Sequence, residues 1–306
     1  MRVGQSFRER MVRPTAEVIS APVAIDPLMA ALAKGAGFDT VYLAGGVLGY
    51  TLAVTEALLT VTEVAERVRS IREVVDGVSV VADAGVGFGD AVHTARAVRA
   101  LEQAGACAVE IEDQVAPKRV HHHKGVEHLV STDEMVGKIR AAADARRNLG
   151  TVIIARCNAI AHEGVRRALD RGAAYVEAGA DVLMFRPVTA TDFEEVTRGT
   201  SVPLAAMAAY GPTRPDSEMA KAGYSLSVYP FPVFVLAFEA LRGGYQRLRQ
   251  GTINGRGTGM TPREIGALID EVGSTIGVEQ LYEIEARTTE AGIGRDTETV
   301  PATAGG

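Results

Sequence analysis

Two acidic residues and one arginine close apolar runs in this chain, where an ionised side chain is costly unless it is paired. Asp83 ends VSVVAD, Glu112 ends ACAVEIE and Arg156 ends TVIIAR. Buried charges need a metal or hydrogen bonds. Carboxylates with open water positions suit Mg2+ or Mn2+, and a guanidinium at a strand end suits bidentate recognition of a substrate carboxylate. The Ala44-Gly45-Gly46 turn follows another apolar run, TVYLAG, and its glycines let backbone N–H groups approach an anion closely. Asn158, two residues beyond Arg156, returns to the same strand face. Arg186 follows DVLMF and either neutralises Glu112 or binds a second substrate carboxylate.

His121, His122 and His123, with His128 nearby, invite a transition-metal reading. Consecutive loop residues do not readily face one ion, and no metal-ligand spacing is present. A lid carrying one general acid fits better, with His122 foremost and His123 next. Cys157 follows Arg156 directly, so on a strand it faces away from the site and reads as a buried small hydrophobe.

These residues need a frame. Eight short apolar runs, at 22–26, 40–45, 78–83, 106–113, 151–156, 181–185, 202–207 and 225–230, alternate with amphipathic stretches. Continuous apolar runs predict parallel strands buried on both faces. Helices are predicted over 62–75, 90–105 and 163–180; in the first, Val64, Val68 and Ile71 form one stripe. Thr60 with Glu63, Ser131 with Glu134 and Thr261 with Glu264 read as capping boxes. Eight β-then-α units predict an α/β (β/α)8 barrel of the TIM type, whose active site gathers at the C-terminal strand ends. By that rule Asp26 also falls at the site. GVGFG at 85–89 has GxGxG spacing, which does not match a dinucleotide loop.

The barrel is expected to occupy residues 1–250. A glycine-rich connector, GTINGRGTGM, then leads to a C-terminal helical extension over 251–306 with helices at 262–272 and 276–289 and a frayed tail. The 306 residues are 47% hydrophobic and 23% charged, ordinary for a globular chain. A net charge of −6 argues against a nucleic-acid partner. No apolar run reaches the ~18 residues of a membrane span. Two cysteines make no disulfide framework, so a cytoplasmic location is expected.

In this order and spacing, VYLAGG, VVADAGVGFG, EIEDQVAPKR, IIARCNA and YVEAGAD resemble the isocitrate lyase/phosphoenolpyruvate mutase superfamily, especially its short methylisocitrate-lyase-like branch. The likeness runs over about residues 7 to 250. It implies Mg2+ (or Mn2+) holding an α-oxo acid or its enolate, a mobile loop after the fourth strand, and an eighth helix swapped between subunits of a homodimer or homotetramer. It also implies that Tyr42, Gly45 and Gly46 form the substrate-carboxylate turn, Asp83 and Glu112 the metal site, Lys118 the start of the gating loop and Arg156 the substrate-binding arginine.

The departures from the pattern are specific. Gly85 stands where the second metal-site aspartate is usual. The loop reads Lys118-Arg119-Val120-His121-His122, without the catalytic cysteine of the lyases. Thr55, beside Glu56, stands at an acidic position, and Arg186 and Ala206 replace a glutamate and an asparagine. The resemblance implies a carbon–carbon lyase acting on a 2-hydroxy or 2-oxo di- or tricarboxylate through a metal-stabilised enolate, with His122 or a tyrosine supplying the proton. Alternatives are an oxaloacetate-type decarboxylase, a phosphonopyruvate- or phosphoenolpyruvate-type hydrolase or mutase, and a non-catalytic small-acid binding protein. The expected partners are a small carboxylate substrate and further copies of the chain.

Overall fold

The computed structural model describes residues 6–12, 17–208, 214–250 and 260–288. A short helix, α1 (Phe7–Val12), precedes β1 (Ile19–Pro22), α2 (Pro27–Gly35), β2 (Thr40–Leu43) and α3 (Gly45–Thr51). Next come α4 (Val61–Val74), β3 (Ser79–Asp83), α5 (Ala91–Ala104), β4 (Ala108–Glu112) and α6 (Thr132–Ala145). The chain continues with β5 (Val152–Cys157), α7 (Ile160–Glu163), α8 (Val165–Glu177), β6 (Val182–Phe185) and α9 (Ala190–Gly199). It ends with β7 (Leu204–Met207), α10 (Asp216–Lys221), β8 (Tyr224–Tyr229), α11 (Pro232–Arg249), α12 (Pro262–Ile276) and α13 (Val278–Arg287).

All eight strands are parallel, in the order β1-β8-β7-β6-β5-β4-β3-β2. A bridge between Val23 and Tyr42 joins the two ends of the sheet. The fold is therefore an α/β barrel of the (β/α)8 type, as the alternation of runs predicts. Strands β2, β4, β5 and β6 bury every residue, because side chains fill the barrel on one face and helices cover the other.

The first strand lies earlier than expected. β1 pairs Ile19 to Pro22 with Leu226 to Tyr229, and the following residues carry the chain into α2. Asp26, expected at the site, caps that helix instead: its carboxylate accepts from the Met29 N–H at 2.8 Å. Thr60 and Glu63 form a reciprocal capping box on α4, as do Thr261 and Glu264 on α12. Ser131 accepts from the Glu134 N–H to start α6.

The Ala44-Gly45-Gly46 turn is the start of a helix, α3. Gly49 within it is required by packing, since an added Cβ would lie 2.6 Å from the Glu56 backbone nitrogen. Gly49→Ala is expected to cost about 1–3 kcal/mol in chemical denaturation, the range for overpacking, and to displace Glu56. A variant as stable as the parent would show that the 52–56 segment is free to move aside.

Two compact units divide after Leu241, inside α11, whereas the sequence reading places the division at 250. None of the residues of α11, α12 and α13 is buried. The connector over 251–259, the tail beyond 288 and Tyr210 lie outside the described residues. Among the described residues no helix is long and apolar enough to cross a membrane.

Candidate active site

Strand register brings the charged ends together. Asp83 lies beside Glu110 across β3 and β4, and Glu112 lies beside Arg156 across β4 and β5. Side chains alternate along a strand, so Glu110 and Glu112 share one face and Arg156 and Asn158 another matching one. The opposite parity sends Asp113 and Cys157 toward α8. Asp113 accepts from the Tyr175 hydroxyl at 3.0 Å, and the Cys157 thiol donates to the Ala168 carbonyl. Burial pushes that thiol well above its ordinary range.

The inward groups form one buried network. Arg156 donates from Nε to Asn158 Oδ1 at 3.1 Å and from Nη1 to Glu110 Oε1 at 3.2 Å, and its Nη2 lies 3.5 Å from Glu112 Oε2. Asn158 Nδ2 and Gln114 Nε2 each donate to Glu112 Oε2 at 3.0 Å. Asn158 thus joins Arg156 to Glu112, accepting from one and donating to the other. Burial raises the Glu112 carboxyl, but the charges of Lys118 and Arg156 outweigh it and bring the value to about 2. Glu110 is raised to about 7 by burial and by the Asp83 charge. The Tyr42 hydroxyl donates to Glu110 Oε2 at 3.1 Å. Sequence reading missed Glu110, although its spacing of two from Glu112 on a buried strand placed it on the same face.

Asp83 is held at both oxygens, by the Gly45 N–H at 3.0 Å and the Gly85 N–H at 2.8 Å. The Gly45 amide, expected to meet a substrate anion, is therefore spent on Asp83, while Ala44 and Gly46 line the cavity. Burial, then the charge of Glu56, raises the Asp83 carboxyl. Gly85, in place of an acidic residue, has a positive φ of 51° and open space where a side chain would begin.

Above the network lies a cavity of about 300 Å³, walled by residues including Tyr42, Asp83, Arg156, Met207 and Phe231. The segment after β4 covers it. Its stem pairs Gln114 with Leu129, and its tip is a short 3-10 helix, Val120–Lys124. In this structure polar contacts fasten the loop expected after the fourth strand. Lys118 bridges Glu56 and Glu112, lying 2.5 Å from Glu112 Oε1. His122 Nε2 lies 2.7 Å from Glu56 Oε1, and His123 Nε2 lies 2.6 Å from the Thr55 hydroxyl. Burial raises the Glu56 carboxyl, but His122 and Lys118 draw it far down. Burial lowers the His122 imidazole, yet Glu56 more than compensates and holds it above its ordinary value. The sequence reading noted Glu56 only as the neighbour of Thr55.

Arg186 sits at the cavity mouth, and its Nη1 lies 2.6 Å from Glu127 Oε1. It does not neutralise Glu112. Glu127 Oε2 also meets His162 Nε2 at 3.1 Å.

For a divalent cation the donor set is Asp83 and Glu112, with Glu56 and Glu110 adding negative charge. Among the described residues no three acidic or histidine side chains surround one point. The Asp83 carboxyl, raised first by burial and then by the charge of Glu56, is one that a hard cation would stabilise in its ionised form. The residues fit Mg2+ bound by one or two carboxylates, with water and substrate oxygens completing the octahedron.

The phosphoenolpyruvate phosphomutase family profile matches residues 7–248. The chain belongs to this family. It is 37% identical over 248 residues to 2-methylisocitrate lyase of Aeropyrum pernix, covering 76% of this chain and 79% of the relative. To 2,3-dimethylmalate lyase of Eubacterium barkeri it is 36% identical over 284 residues, covering 90% and 95%. The solved structure of phosphonopyruvate hydrolase in complex with oxalate and Mg2+ is 30% identical, with a TM-score of 0.79, covering 92% and 97%. The protein is therefore an enzyme of the isocitrate lyase/phosphoenolpyruvate mutase superfamily, and the two sequence relatives named above are lyases.

Proposed function

We propose that this family member cleaves the C2–C3 bond of a small 2-hydroxy di- or tricarboxylate in a retro-aldol reaction, releasing a 2-oxo acid. The observation that carries this reading is the convergence of Asp83, Arg156 and Tyr42 beneath a lid that sets His122 on Glu56. Asp83 and Glu112 would hold Mg2+, which would supply positive charge to the 2-hydroxy carboxylate end of the substrate. Arg156 has five N–H donors, and those left over from its buried partners orient the substrate carboxylate. The hydroxyl proton leaves to Tyr42 Oη as Tyr42 passes its own proton to Glu110, with which it is already hydrogen-bonded. Cleavage puts the C2–C3 electron pair on C3, where the carboxylate on C3 delocalises it. The His122 imidazolium, held protonated by Glu56, then donates its proton to C3. Lys118 and the lid exclude water, so that the proton comes from the lid rather than from solvent.

Release of pyruvate or glyoxylate from a panel of 2-hydroxy di- and tricarboxylates tests the reading. Turnover is expected with Mg2+, to be lost with a chelator and in Asp83→Ala. Chelator-insensitive turnover together with full activity in Asp83→Ala would overturn the metal assignment. A second reading, hydrolysis or decarboxylation of a 2-oxo acid, is favoured by the likeness to phosphonopyruvate hydrolase and by a lid without cysteine. Phosphate or CO2 release from oxo acids, with no cleavage of hydroxy acids, would select it.

We also propose self-association. Val235, Leu236, Phe238 and Leu241 of α11 and Leu268, Ile269, Val272 and Ile276 of α12 are exposed. Apolar faces of this extent mark interaction surfaces, and a second copy is the proposed cover. The full chain is expected to run as a dimer or larger in sedimentation, and truncation after residue 250 to dissociate or unfold it. A monomer unaffected by truncation would show that these helices serve no assembly.

A further inference from the structure

Among the cationic groups in the cavity wall, Arg186 is placed differently from the others. Arg156 is 10% exposed and Lys118 9% exposed, and both answer buried carboxylates on the barrel. Arg186 is 50% exposed, and its partner Glu127 comes from the lid stem. That carboxylate belongs to the covering segment and not to the barrel strands. Glu127 also has somewhere to go, because its second oxygen already meets His162.

We propose that Arg186 is the subsite for the second carboxylate of the substrate, and that Glu127 holds the place until substrate arrives. The inference rests on the proposed action on di- or tricarboxylates and names the residue that reads the second acid group. A guanidinium presents a planar fork that matches one carboxylate in bidentate fashion. The incoming carboxylate takes that fork, and Glu127 shifts wholly to His162. Arg186 therefore separates dicarboxylates from monocarboxylates, while the Glu127 contact, lost on binding, weakens the preferred ligand.

Calorimetric titration with malate and with lactate, each with Mg2+ and in a Tyr42→Phe background that lacks the proposed hydroxyl base, tests this without turnover. The two acids share the 2-hydroxy carboxylate and differ in the second carboxylate. With Arg186 and Glu127 intact, this background is expected to favour malate by about 10- to 100-fold, the worth of one charge-assisted pair. Arg186→Gln should bring malate down to the level of lactate and leave lactate unchanged. Glu127→Gln should tighten malate by about fivefold, as a charged competitor becomes a neutral one, again without moving lactate. Arg186→Lys, which keeps the charge and loses the fork, should retain part of the preference and serves if the glutamine variant misfolds. An undiminished malate preference in Arg186→Gln, or equal losses for both acids, overturns the proposal. If the preference is lost as expected but no hydroxy acid is cleaved, the lyase reading fails and this subsite stands. If hydroxy acids are cleaved and the preference survives, only the subsite fails.

Discussion

Arg156→Lys is expected to lower kcat/KM by about 100-fold while the protein still folds. The guanidinium does three things that an ammonium cannot do together: it meets Asn158 through Nε, Glu110 through Nη1 and Glu112 through Nη2. Lysine keeps the charge but reaches along one direction, so at least one buried carboxylate loses its partner and the fork toward substrate disappears. Hydrogen bonds to charged groups are worth about 1.5–3 kcal/mol each, which for one lost contact reaches about 100-fold in rate. The fall should appear in KM and kcat together, because the same side chain positions both the substrate and Glu112. Thermal unfolding should also occur at lower temperature. A lysine variant with near-parental kinetics and a lowered melting temperature would make Arg156 a neutraliser of the buried acids and nothing more.

His122→Ala is expected to lower kcat by about 100-fold or more, the contribution of a positioned general acid, whereas His121→Ala changes it by less than about twofold, as exposed residues away from a site usually do. Within the lid, His122 reaches Glu56, and His123 stacks against Tyr50 with ring centroids 5.7 Å apart. The pH profile separates proton donation from lid fastening. Burial alone would lower the His122 imidazole, but its hydrogen bond to Glu56 raises it above the ordinary 6.5. The acid form is the active one, so activity falls as pH rises through this raised value. Glu56→Gln removes the stabilising charge, and the alkaline limb should move to lower pH. If His122→Ala lowers kcat and Glu56→Gln leaves the alkaline limb in place, His122 fastens the lid and another group donates the proton.

The barrel was legible because its signals are local. Apolar runs of strand length, stripes of helical period and capping boxes at Thr60 and Thr261 act over a few residues, and the structure has them where the pattern put them. β1 was displaced because its limits depend on pairing with β8, a partner about two hundred residues away in sequence. Asp26 was misplaced with it: without that register, a strand-end carboxylate and a helix cap look alike.

The site divides in the same way. Asp83, Glu112 and Arg156 stood out in the sequence because each puts a charge at the end of an apolar run, and cysteine parity already turned Cys157 away. Glu110 was legible from its spacing of two from Glu112, but its partners Asp83 and Arg156 came only with the strand register. Glu56 needed the close approach of Gly49 to its backbone, which holds it above the cavity. The two alternatives for Arg186 were equal in sequence, since both need only a carboxylate nearby. Tertiary structure decided against Glu112 by bringing Glu127 down from the lid. Sequence alone determined that Asp83, Glu112 and Arg156 carry charge into the barrel, because burial cost is written in their neighbours. Which of those charges answer one another depended on register and on loop closure, because Coulomb energy follows distance in space and not separation along the chain.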